Sequence, residues 1–156
     1  GWRARIFGYR SYYVPQTIIH HHGSAHWKWS PQVFYLLERN RWLVLLKNYS
    51  LITLLKLYPS LIIIELSMLG FFATKGLLLK KLKSYGSILS LFGHIMKQRK
   101  IIHNKRKISD IEIIRSFCGT IKIPSEANDS KLNNKFEKLL SSLCKFSGYD
   151  KIVREP

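Results

Sequence analysis

An almost unbroken apolar run over residues 60–79 sets the first limit on what this chain can fold into. It contains Leu61-Ile62-Ile63-Ile64, Met68-Leu69, Phe71-Phe72 and Leu77-Leu78-Leu79. A shorter apolar segment, residues 51–58, precedes it and ends at Pro59. A bilayer-spanning helix needs about 20 apolar residues, and the run just reaches that length. Glu65 and Lys75 interrupt it. Each would cost roughly 2.5–3.5 kcal/mol near the bilayer centre, less off-centre or with snorkelling, while an apolar residue gains only a few tenths. Three placements follow, in order of preference: an in-plane or re-entrant segment together with residues 51–58, a tilted span, and a buried helix of a soluble enzyme.

The flanks favour a membrane. Lys80-Lys81-Leu82-Lys83 follows the apolar run at once, then an amphipathic stretch over residues 88–96. Lys97, Arg99, Lys100, Lys105, Arg106 and Lys107 form a basic cluster beyond it. Across the chain 26 Lys and Arg face 9 Asp and Glu, a net charge of +17 that calls for a polyanionic partner. Basic side chains bracketing an apolar stretch suit an anionic membrane surface, and by the positive-inside rule they place this flank on the cytoplasmic face. No nucleic-acid partner is expected, because no nucleic-acid motif occurs and the apolar middle would be hard to keep in solution. Cys118 and Cys144 have no CxxC partner and read as reduced, buried thiols.

The first thirty residues are of another kind. Gly1-Trp2-Arg3-Ala4-Arg5-Ile6-Phe7-Gly8 reads as the end of a helix, with Gly8 closing it in the left-handed conformation. An aromatic and β-branched segment from Tyr12 to Ile19, with Pro15 near its start, predicts a strand. It runs into His20-His21-His22 and Gly23, so an imidazole could act as a metal ligand at the strand end. A surface or packed histidine cluster fits those residues equally well. Ser30-Pro31 then supplies an N-cap and first helical position for residues 31–47. Phe34, Leu37, Trp42, Leu45 and Leu46 share much of one face of that helix, with Glu38, Arg39 and Arg41 elsewhere.

The order Trp2-Arg3-Ala4-Arg5, Gly8-Tyr9-Arg10, Tyr13, Pro15, histidine and Gly23, followed by Glu38-Arg39-Asn40-Arg41-Trp42, resembles the end of the catalytic domain of family 2 glycosyltransferases. The likeness covers about the first fifty residues and extends to the rest only in general character. It implies an α/β fragment, the helix–strand end of a GT-A domain, followed by a mostly α-helical membrane-associated region. Residues 1–30 would belong to the catalytic domain, 31–107 to membrane-associated helices, and 108–156 to a helical tail with a polar linker.

What the resemblance implies chemically is an inverting transfer of a sugar from a nucleotide-diphosphate donor to a glycan or lipid-linked acceptor. A carboxylate base and a divalent metal, Mn²⁺ or Mg²⁺, would carry that displacement. The resemblance puts the base, the metal-binding Asp-x-Asp and the donor-binding half before Gly1, so the chain is expected to be the C-terminal part of a larger enzyme and inactive alone. The family's histidine ligand falls on His21 when Pro15 is aligned, with His22 as the substitute, and imidazole favours Mn²⁺ over Mg²⁺. Trp2 and Arg3 are candidates for acceptor contact, and Arg39, Asn40 and Arg41 for substrate diphosphate, which guanidinium groups suit. All five fit packing or surface roles as well. The competing classes are a non-catalytic cationic module that binds membrane or, less favoured, nucleic acid, and a gene remnant with no function of its own.

Downstream, Ser109-Asp110 caps a short helix over residues 111–117, with Cys118-Gly119 as its stop. Residues 124–130 are polar linker, residues 132–146 an amphipathic helix carrying Leu132, Phe136, Leu139, Leu140 and Leu143, and the final ten residues a frayed end.

Overall fold

The computed structural model describes residues 1–18, 20, 30–116 and 142. Among these, all regular structure is helical. The elements are α1 (Trp2–Ile6), α2 (Pro31–Asn48), α3 (Leu51–Thr74), α4 (Leu78–Ser90), α5 (Phe92–Asn104) and α6 (Asp110–Ile114). The α/β fragment expected from the sequence is therefore overturned: the described residues contain no strand. Residues 11–14 have no regular structure and Pro15-Gln16 form a turn, in which the Thr17 N–H donates to the Val14 carbonyl at 3.3 Å. Tyr12, Tyr13 and Ile18 are all exposed. β-propensity needs a neighbouring strand to pair with, and no described segment lies beside this one to supply the ladder. The first helix and its stop do match the sequence. Gly8 adopts φ +86° at the end of α1, and the Gly8 N–H donates to the Arg5 carbonyl.

Helix starts follow the serines. Ser30 caps α2 by accepting from the Val33 N–H, with Pro31 at the first helical position. Ser50 caps α3 through the Thr53 N–H, and Ser109 caps α6 through the Glu112 N–H.

The apolar run is reset at both ends. The chain does not break at Pro59: α3 runs through it for 24 residues, from Ser50's cap to Thr74. A proline inside a helix forfeits one backbone bond, and here its ring sits on an exposed position where it meets no neighbouring helix. At the other end, Gly76 takes φ +67°. The Leu77 N–H reaches back to the Phe72 carbonyl at 2.8 Å and the Gly76 N–H to the Ala73 carbonyl at 3.1 Å, a Schellman stop. Lys75 is thus the C-cap, not an interior charge, and there it complements the helix dipole. Leu78 and Leu79 pass into α4. The expected continuous helix over residues 88–96 is divided at Leu91, which ends α4 and opens α5. α6 stops at Ile114, earlier than expected.

Helix α2 is the spine, packed along α4 and α5, while α3 packs on α4 and α1 on α6. One small core joins Ile6, Ile102 and Ile113, with Trp2, Phe7 and Ile108 around it. A second pairs Tyr49 with Ile114 under Trp2, Leu45, Leu54 and Leu57. The Ile6 carbonyl accepts from both the Lys107 and Ile108 N–H groups, tying the end of α1 to the link before α6. Phe34 meets Phe72 edge-on at 5.8 Å where α2 crosses the far end of α3. Of α3, only Thr53 and Phe72 are buried.

Candidate membrane-binding surface

Helix α3 keeps its apolar side chains on the outside. Leu51, Leu55, Tyr58, Ile62 and Leu66 recur at steps of three and four residues, which places them on one face, and all are exposed. Ile52, Pro59, Gly70 and Ala73 are exposed on the same side of the helix. The stripe lasts the whole helix, about 36 Å at 1.5 Å per residue. Leu78, Leu79, Leu82 and Leu89 form a second exposed apolar stripe on α4. Among the described residues, α3 is the one helix long and apolar enough to cross a membrane.

At the edge of this stripe, the lone acid of α3 is occupied. Glu65 binds Arg41 of α2, Lys81 of α4 at 2.6 Å, and the Tyr85 hydroxyl. Glu38 of α2 binds the same two cations, Arg41 at 2.9 Å and Lys81. Two carboxylates thus meet two cations, and the cluster closes on itself without net charge. Lys81 is 0 % exposed and Glu38 4 %. The Lys81 ammonium also lies 5.5 Å from the Phe72 ring centre and 5.2 Å from that of Tyr85. Burial, and then the Glu65 carboxylate, push the Tyr85 phenol above its ordinary pKa.

A second polar joint fixes where α3 begins. Asp110 accepts from the Ser50 N–H and the Thr53 hydroxyl, both at 2.7 Å, and from Arg106 at 2.7 Å. A carboxylate at the first turn of α3 also meets the positive end of its dipole. Burial opposes the charge on Asp110, but these donors together hold its carboxyl below the ordinary range. Arg106 donates in addition to the Asn48 carbonyl and Arg99 to the Leu46 carbonyl, so two guanidinium groups satisfy the open end of α2. His103 lies between them: burial first, then Arg99 and Arg106, push its imidazole below the ordinary value.

These contacts sort the basic residues. Lys81, Arg99 and Arg106 are engaged inside the protein, whereas Lys83, Lys97, Lys100, Lys105 and Lys107 are exposed. They sort the candidate site residues too. Trp2 packs edge-on against Tyr49 at 4.6 Å, and the Arg3 Nε–H donates to the Asn48 side chain at 3.3 Å. Arg39 pairs with the Asn40 side chain at 3.2 Å and lies 5.6 Å from the Tyr35 ring, and Asn40 is exposed. Arg41 alone of that trio enters the ion cluster. Asn48 stands seven residues beyond Arg41, about 10 Å along α2, so Trp2 and Arg3 gather at the C-terminal end of the helix, away from Arg39 to Arg41 at its middle.

His21 and His22 lie outside the described residues, and His20 is exposed. Among the described residues no group of three or more His, Cys, Asp or Glu side chains could hold a metal. They supply no donor set that fits the expected Mn²⁺ or Mg²⁺, and no step is derived through it.

Sequence reasoning treated Glu65 as a penalty and missed its partners. A single acid in an apolar run is itself a signal that a cation lies opposite. Which lysine of Lys80-Lys81-Leu82-Lys83 turns inward had no such signal. Comparison with protein-family models, curated proteins and solved structures found no match.

Proposed function

We propose that this chain is a membrane-docking helical module belonging to the C-terminal part of a family 2 glycosyltransferase, with α3 lying in the plane of an anionic cytoplasmic leaflet. The observation that carries the membrane part is the exposed apolar stripe of α3, backed by the clasped Glu65. An in-plane helix buries one face in the acyl boundary; the exposed stripe of α3 supplies that face, while Glu65 at its edge is held by Arg41, Lys81 and Tyr85. A span would require either leaving α2 and α4, which strips Glu65 of Arg41, Lys81 and Tyr85, or taking both helices along. In the second case Arg39, Asn40 and Lys83, near the middles of α2 and α4, would meet hydrocarbon. The exposed lysines supply attraction for anionic headgroups, worth about 1 kcal/mol each near the surface.

The glycosyltransferase part rests on the ordered motifs from Trp2 to Trp42. In that role the module would hold the enzyme where a lipid-linked acceptor presents its hydroxyl, while a nucleotide sugar arrives from solution. The resemblance assigns the base and the Asp-x-Asp to residues outside this sequence, and one histidine ligand of Mn²⁺ or Mg²⁺ to His21 or His22.

Vesicle flotation tests the membrane reading. The chain should float with phosphatidylglycerol vesicles, bind neutral vesicles less, and keep a salt-resistant fraction from apolar insertion. Recovery at the bottom of the gradient in every lipid would sink it. For the enzyme reading, the frame upstream of the Gly1 codon should continue into an Asp-x-Asp and an acidic pair just before Trp2. A stop codon there would leave membrane binding alone.

A further inference from the structure

Between α2 and α3 runs a groove of ≈ 320 Å³, lined by Trp42 and Leu46 on one side and Leu54, Leu55, Leu61 and Ile62 on the other. Tyr58 and Glu65 complete its wall. We propose that this groove holds one hydrocarbon chain of a bilayer phospholipid, with the lipid's ester or phosphate oxygens at its Arg41–Trp42 edge. The proposal rests on the membrane reading above and names the molecule that occupies this part of the surface.

Three observations converge on that occupant. The wall is apolar apart from Glu65, whose carboxylate is already bound to Arg41, Lys81 and Tyr85, so the groove suits hydrocarbon and rejects a polar ligand. Leu55, Tyr58 and Ile62 belong both to the groove and to the exposed stripe of α3. The groove is therefore continuous with the face that meets acyl chains, and a chain enters it without crossing water.

The third observation concerns donors. The indole N–H of Trp42 and the Nε–H of Arg41 are buried and meet no acceptor among the described residues. Buried donors without acceptors are uncommon and ask for a partner. Trp42 lines the slot and Arg41 is its neighbour in sequence, so the pair matches an amphiphile with acceptor oxygens next to its chain. The size agrees, since small-molecule sites begin at about 300 Å³, and a second helix about 10 Å across would find little room.

The test uses the 156-residue chain bound to vesicles of phosphatidylcholine and phosphatidylglycerol, then extracted in mild detergent for native mass spectrometry. One retained phospholipid per chain is expected. Leu46→Trp, which fills the groove from α2, should lower that adduct severalfold while helicity and flotation persist. Leu61→Phe serves in the same way if Leu46→Trp does not fold. In vesicles brominated along the acyl chains, quenching should fall when Trp42→Phe removes the groove's own indole, with Trp2, Trp27 and Trp29 retained. If flotation persists but neither the adduct nor the quenching depends on the groove, the proposal is overturned and the membrane reading stands. If the wild-type chain does not float, both fail. A dimer lost in Leu46→Trp, with no lipid adduct, assigns the groove to a second copy and overturns the proposal.

Discussion

Lys81 Nζ lies 2.6 Å from Glu65 Oε1, joining the start of α4 to the middle of the bilayer-length helix α3. With Glu38 and Arg41 from α2, this contact ties three helices at one point. Buried ion pairs add little over a well-packed apolar replacement, but removing one partner leaves a charge uncompensated.

Lys81→Met should therefore lower stability by about 3–5 kcal/mol, because Glu38 and Glu65 then share only Arg41. Thermal melts followed by circular dichroism measure it. A Lys81→Met, Glu38→Leu double variant should recover part of the loss. If it is instead as unstable as the sum of both single variants, the two residues do not act as a unit.

Asp110 gives an acid limb of known sign. Its folded pKa is lowered, so its stabilisation is present above the unfolded value of about 3.9 and lost as pH falls through the folded value. Denaturant midpoints of the wild type should fall in that window, while Asp110→Asn shows a shallower decline. At neutral pH the substitution should cost about 1–3 kcal/mol, since a buried carboxylate with three hydrogen-bonding partners is replaced.

His103 acts in a second, higher window. Its folded pKa is also lowered, so the native state resists the proton that the unfolded chain takes up near pH 6.5. Stability is complete above that value and declines as pH falls from there through the folded pKa. Arg99 and Arg106 oppose the imidazolium and Asp110 favours it, in keeping with the net direction. His103→Gln should flatten the decline below pH 6.5. An unchanged slope would show that the imidazole is not the group responsible.

The α3 stripe can be tested without touching the joints. Ile62→Asp and Leu66→Asp place a carboxylate on the outward face, where a charge costs up to roughly 2.5–3.5 kcal/mol in hydrocarbon and less at the interface. Each should reduce flotation at least severalfold with helicity unchanged. Lys97→Glu and Lys100→Glu should act differently, weakening binding to anionic vesicles and lowering its salt dependence. Equal losses on neutral vesicles would count against a headgroup role for those lysines.

Much of the helical order was legible in the sequence. Ser30-Pro31 and Ser109-Asp110 start helices as their chemistry dictates, because a cap is a local event within four residues. Gly8 closes α1 for a similarly local reason. The strand expected from Tyr12 to Ile19 failed over its described residues because strand formation is a question about neighbours, and Tyr12 and Tyr13 find none among the described residues. Pro59 misled for the opposite reason: it is locally unfavourable, yet it lies on an exposed position of α3, and the helix gives up one backbone bond there and carries on. Gly76, inside an apolar run, was the stop that Pro59 was expected to be. The candidate trio Arg39, Asn40 and Arg41 was found together, but its division into outward Arg39 and Asn40 and inward Arg41 depended on Glu65, far along the chain.

The joint at the start of α3 has a consequence for how the protein comes into being. Ser50 and the carboxylate that fixes it are sixty residues apart. Asp110 is made only after all of α3, α4 and α5, so the corner between α2 and α3 closes late during vectorial synthesis. Until then the greasy helix is complete and clasped to α2 and α4 through Glu65, but its first turn lacks its carboxylate. A leaflet near the nascent chain would meet that helix first, and the arrival of Asp110 would lock its starting turn on a surface it had already reached.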